Sequence, residues 1–108
     1  MFDKTNKKVL YLTLKKPQFK VTISGEKNSE FRRPSKWILA RILGKDYDLV
    51  KFTNGYGSDK PYFICEFNYW RHAEPNTHHY SNGLIVEVNS TYIEIVLGRV
   101  LEVGNYEV

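Results

Sequence analysis

Six short runs of strand-forming residues, none longer than eight, sit between turn signals along this 108-residue chain. They are Val9 to Leu14, Asn28 to Arg33, Tyr47 to Thr53, Tyr62 to Tyr69, Leu84 to Val88 and Tyr92 to Val96. The tail Val100 to Val103 extends or follows the last of them beyond Gly98. Short strands leave unpaired backbone at every sheet edge, and closing the sheet on itself removes those edges. The pattern therefore predicts a small β-barrel of about five or six strands. Asn54-Gly55 is a strong turn dipeptide, and Asn89-Ser90-Thr91 reads as the tip of a hairpin between its two flanking runs. Arg71 to Tyr80 is polar, contains Pro75 and reads as a loop.

Two short helices interrupt the strands, which makes the class α+β. Pro17 suits a first helical turn, Phe19 and Ile23 follow it, and Gly25 stops the helix. Val21, Thr22 and Ile23 are β-branched and work against that helix. After Pro34, Ser35 N-caps a second helix carrying Trp37, Ile38, Ala40, Arg41 and Ile42, and Gly44 ends it. The length suits a single domain over residues 1–108. With 42% apolar and 15% aromatic residues, the chain has the composition of a folded globule.

No apolar run approaches the roughly 18 residues of a membrane span. The opening Met1 to Asn6 is polar and unlike a signal peptide. The lone Cys65 cannot form an internal disulfide, which fits a cytoplasmic setting. The net charge of +4 is unevenly spread. Residues 1–54 hold thirteen Lys or Arg against five Asp or Glu, a balance of +8, and residues 55–108 hold three against seven, a balance of −4. A basic half of this kind attracts a polyanion such as nucleic acid.

Gly25-Glu26-Lys27-Asn28-Ser29-Glu30-Phe31-Arg32 carries most of the functional information. In an extended segment Glu30 and Arg32 share a face, since strand side chains alternate with period two. Lys27 sits at the helix-to-strand corner and can reach the same space. A lysine, a carboxylate and a guanidinium converging there form an anion or polar-base site in outline. The same three residues also fit an ion pair at a turn.

This octapeptide, Gly-x-Lys-x-x-Glu-x-Arg, resembles the signature of the ASCH domain family. Upstream, Leu12-Thr13-Leu14-Lys15-Lys16-Pro17 is similar to the family's first strand and the lead into its helix. Downstream, Trp37, Arg41, Tyr47-Asp48, Asn54-Gly55-Tyr56, Pro61, Glu66 and Leu97-Gly98-Arg99-Val100-Leu101 resemble a bacterial and phage-associated branch of small single-domain members. The resemblance implies a PUA-like β-barrel and an RNA- or nucleotide-binding role. For some members it implies hydrolysis of the acetyl amide of acetylcytidine, or ribonuclease activity. In the amidase group a lysine at the position of Lys27 acts with a hydroxyl residue and a glutamate. Here Glu30 holds the place of that hydroxyl residue.

Other residues extend the candidate site. Trp37 and Arg41 share one face of the second helix, where a base can stack on the indole with the guanidinium beside it. A core tryptophan and a paired arginine are the plainer reading of the same spacing. Asn54 and Tyr56 belong to a turn that can also cover a pocket mouth. Glu66, in mid-strand, needs a partner such as Lys27 or Arg32 if it points inward and is ordinary if it points out. His78-His79 has no third ligand at convincing spacing, so neither a metal nor a cofactor is expected.

Two functions follow. The first is a module binding RNA or a nucleotide through Lys27, Glu30, Arg32, Trp37, Arg41, Asn54 and Tyr56. The second is a hydrolase acting on N-acylated cytidine or on RNA, with Lys27, Glu30 and Glu66 as its catalytic groups. Glu26 and Glu30 hold Lys27 protonated, and a protonated lysine is a donor and not a base. That favours binding.

Overall fold

Leucines at alternate positions place β1 (Val9–Leu14) with one face in the core: Leu10, Leu12 and Leu14 are buried while Tyr11 between them faces solvent. β1 runs parallel to β3 (Leu49–Asn54), which pairs antiparallel with β4 (Tyr62–His72). β4 pairs with β7 (Ile93–Gly104), and β7 with β2 (Ser29–Arg32). The sheet order is β1-β3-β4-β7-β2, and the sheet curls into a half-barrel. This computed structural model describes residues 5–106; the opening residues Met1 to Lys4, read above as unlike a signal peptide, lie outside them.

Helix α1 (Lys16–Ile23) starts with Pro17 in its first turn and ends before Gly25, whose φ of +86° suits a residue without a Cβ. The β-branched Val21 and Thr22 are accommodated because burial outweighs propensity. Both are buried, and the Thr22 hydroxyl donates to the Gln18 carbonyl at 2.8 Å. Helix α2 (Lys36–Ile42) is capped as expected, with Ser35 Oγ accepting from the Ile38 N–H at 3.2 Å. Phe19, Ile38 and Ile42 pack with Phe52, Phe63, Ile93 and Ile95 in one core. The α+β class, a small barrel-like sheet and two short helices stand as read from the sequence.

The structure corrects two local readings. The stretch Arg71 to Tyr80 is not a loop: β4 continues to His72, and β5 (Asn76–His79) is a strand. Its residues are polar because it belongs to an exposed two-stranded ribbon, so it carries no apolar alternation. The expected hairpin between Leu84–Val88 and Tyr92–Val96 does not form either. β6 (Ile85–Val88) pairs with β5, while β7 pairs with β4 and β2. Ile93, Ile95 and Leu97 are buried with β7 placed between β4 and β2, and that burial outweighs the closer partner. β7 runs through Gly98 without a break, and register shifts in its pairing with β4 between Ile64 and Tyr69 accommodate the turn of the sheet.

Candidate functional site

Gly25 turns the chain out of α1, and the Lys27 N–H then caps the helix by donating to the Val21 carbonyl at 2.9 Å. This sends the lysine side chain inward, where only 2% of the residue is exposed. Its ammonium donates to the Ser29 carbonyl at 2.6 Å and to Glu30 Oε1 at 2.8 Å, and lies 5.5 Å from the centroid of the Phe31 ring. Glu30 lies opposite Ile95 in the β2–β7 register, on the core face, and is itself buried. Its second oxygen, Oε2, accepts from Arg32 Nε at 2.8 Å. Arg32 Nη2 reaches across to β1 and donates to the Thr13 carbonyl at 2.8 Å.

These bonds form one chain: Lys27, Glu30, Arg32, Thr13. It has a structural consequence and a chemical one. β1 and β2 are the two edges of the sheet, and no strand ladder joins them. Arg32 spans the gap with its side chain. A buried carboxylate between two cations is also fully paired, which is the condition for keeping charge inside a protein. Arg32 commits Nε and Nη2 to this framework, while Nη1 has no partner among the described residues. The Arg32 side chain is one-quarter exposed.

Arg32 is part of the wall of a cleft of about 400 Å³ at the seam between β1 and β2. The cleft is lined by Thr13, Leu14, Lys15, Gln18, Glu30, Phe31, Arg32, Gly55 and Tyr56. Its volume lies within the range of small-molecule sites, roughly 300–1,000 Å³. Lys15 is solvent-exposed, and Tyr56, 85% exposed, presents a free ring at the rim.

The other face of β2 and β7 carries a second polar cluster. Phe31, Glu94 and Arg71 lie side by side across β2, β7 and β4. Glu94 accepts from Ser29 Oγ at 2.7 Å and from Arg71 Nε at 3.0 Å. Burial pushes the Glu94 carboxyl up, but the hydrogen bonds from Arg71 and Ser29, with the charges of Arg71 and His78, leave it below its usual value. The β5–β6 ribbon covers this face. His78 stacks on Phe31 with centroids 4.8 Å apart, and Tyr80 continues the stack. Ser81 donates to Glu26 through both its N–H (2.7 Å) and its hydroxyl (2.6 Å). Burial, then the charges of Glu30, Glu26 and Glu94, raise the Tyr80 phenol.

Of the residues singled out from the sequence, Lys27, Glu30 and Arg32 come together; Glu30 and Arg32 line the cleft with Tyr56, and Lys27 does not. Asn54 ends β3 beside the rim, with its N–H donating to the Pro61 carbonyl. Trp37 and Arg41 pair with each other, the guanidinium carbon 3.9 Å from the indole centroid, and do not line this cleft. Glu66 takes its outward alternative. It accepts from the Arg99 N–H at 2.8 Å, and that bond first, then the Arg99 side chain, holds its carboxyl below the usual value. It pairs with neither Lys27 nor Arg32. No group of three or more His, Cys, Asp or Glu suited to a metal occurs among the described residues.

Thr13, Lys15, Gln18 and Phe31 belong to the cleft and were not singled out. Thr13 and Lys15 fall inside the upstream stretch of the family resemblance, which is the one signal that pointed near them. Gln18 had none: it is a polar residue in a short helix. Set against family models, curated proteins and solved structures, the chain matches none of them.

Proposed function

We propose that this protein is a cytoplasmic RNA- or nucleotide-binding module of the ASCH type, with its ligand in the cleft at the β1–β2 seam. The observation that carries this reading is Arg32, held in position by Glu30 and Thr13 in the lining of a cleft of about 400 Å³, with its Nη1 uncommitted among the described residues. A preorganised donor costs little entropy to use. Tyr56 adds a stacking surface at the rim and Lys15 a cation. The exposed Lys7, Lys8, Lys16, Lys20, Arg33, Lys36 and Lys45 supply a diffuse attraction for phosphate. The octapeptide's resemblance to the ASCH signature supports the same reading.

The hydrolase alternative draws less support. Lys27 is buried with its ammonium donating to two oxygens, and Glu66 is engaged by Arg99. A lysine so placed is a buried anchor for Glu30.

The test is titration of a labelled single-stranded RNA at about 50 and about 200 mM salt. Three neutralised phosphates would weaken binding about 20-fold over that range, from a slope of about −0.7 per phosphate. Lys15→Ala and Tyr56→Ala alter exposed side chains and are expected to weaken binding while leaving the fold intact. Absence of binding at the lower salt overturns the proposal, and release of cytidine from N-acetylcytidine would move it to the hydrolase.

A further inference from the structure

An arginine paired with one carboxylate presents little net charge to a ligand, because the two opposite charges cancel within the contact. Arg32 is paired in this way, its Nε 2.8 Å from Glu30 Oε2. The other oxygen of the same carboxylate, Oε1, is taken by the Lys27 ammonium, also at 2.8 Å. Two cations thus share one anion, and the cluster keeps a formal surplus of one positive charge. The remaining contacts leave that surplus intact. Lys27 also meets the Ser29 carbonyl and the Phe31 ring, and Arg32 meets the Thr13 carbonyl, and all three groups are uncharged.

The two cations stand differently toward the seam cleft. Glu30 and Arg32 line it, whereas Lys27 is buried and does not. A ligand in the cleft therefore meets an ion pair whose balance Lys27 tips toward positive from the carboxylate's other oxygen. Buried charges are screened by salt much less than exposed ones. Lys15, also in the lining, is exposed, so water and salt weaken its pull. A phosphate gains from the surplus directly, and a neutral base edge or a sugar hydroxyl gains far less.

We infer that Lys27 is a positioning residue of the seam cleft: by occupying Glu30 it leaves Arg32 with the charge to hold an anionic group, and the cleft takes its nucleotide by the phosphate. The inference rests on the cleft's being the nucleotide site. It deepens that reading by naming the group held and a residue outside the cleft that sets how tightly it is held.

The experiment measures binding of uridine monophosphate and of uridine by the full chain, as wild type, Lys27→Met, Glu30→Gln and the double variant. The readout is the ratio of the two affinities, in which damage to the fold that affects both ligands alike cancels. All four proteins are measured in one sucrose buffer, which favours the folded chain, and circular dichroism verifies the fold. The double variant removes both partners of the buried pair, a change often near neutral for stability. The formal charge of the cluster is +1 in the wild type, 0 in Lys27→Met, +2 in Glu30→Gln and +1 in the double variant. A unit charge about 10 Å from a phosphate, at an effective dielectric constant of about 20, changes its affinity about tenfold. The ratio is expected to fall about tenfold in Lys27→Met, to rise about tenfold in Glu30→Gln, and to be rescued toward the wild-type ratio in the double variant.

A merely structural Lys27 would not give opposite signs in the two single variants. A wild-type ratio near one overturns the inference and leaves the nucleotide site standing. So does an unchanged ratio in Lys27→Met, or a ratio that falls in Glu30→Gln as well. If neither single variant folds in sucrose, the pair is structural and the inference is overturned. If the wild type binds neither ligand, the site reading itself fails and the inference falls with it.

Discussion

Glu30 shows how little freedom a buried charge has. Each of its oxygens is held by a cation, Lys27 on one and Arg32 on the other, and both bonds are 2.8 Å. Glu30→Gln keeps the shape but leaves two cations facing each other without a counter-charge. Breaking a buried pair by removing one partner typically costs about 3–5 kcal/mol. The expected result is a large fall in the urea midpoint, with the m-value unchanged if unfolding stays two-state. A midpoint within error of wild type would mean that the two cations do not depend on Glu30. At this scale the sequence was readable in part. The period-two spacing of Glu30 and Arg32, with Lys27 at the corner, predicts their convergence. The Arg32–Thr13 bond spans 19 positions, and no local pattern encodes it. Glu66 was undecidable for the same reason: its partner Arg99 is 33 residues away, on a strand whose register the sequence does not state.

Among the elements, the β5–β6 ribbon is the one whose placement depends on side chains. A two-stranded ribbon is marginal alone. It is held to the sheet by the His78–Phe31 stack and by Ser81 on Glu26. Beneath it, Glu94 links three strands, with Ser29 from β2 and Arg71 from β4. A carboxyl lowered on folding contributes stability above its unfolded value, and that contribution is lost as pH falls through the lowered folded value. Arg71→Ala removes the strongest of the groups that lower Glu94, so acid unfolding, followed by circular dichroism, should begin at higher pH than in wild type. An unshifted or lower onset would show that Glu94 does not couple to acid stability. Polar strands such as Asn76–His79 escape sequence reading because strand signals are apolar alternation, and an exposed ribbon need not supply it. By contrast, α2 was legible to the cap, because Ser35 and Gly44 punctuate it and Ile38 and Ile42 carry its buried face.

For the molecule as a whole, the barrel-like form followed from counting short strands and turns, and the strand order did not. Order is decided by which strands bury Ile93, Ile95 and Leu97, a property of the assembled core. Among the described residues the half-barrel meets itself across the Arg32 guanidinium, where a closed barrel would have a ladder. Solvent deuterium will find that difference. Strand β4 is flanked by β3 and β7, so its amides open only when the sheet does. The amides of β1 that point away from β3 have no strand beyond them, and they should exchange orders of magnitude sooner than those of Phe63 to Cys65. Uniform protection across β1 and β4 would mean the edge is sealed by something other than Arg32. A ligand seated in the seam would stand in for the missing ladder, and its arrival would be recorded as slowed exchange along Tyr11 to Leu14, far from any change in the core.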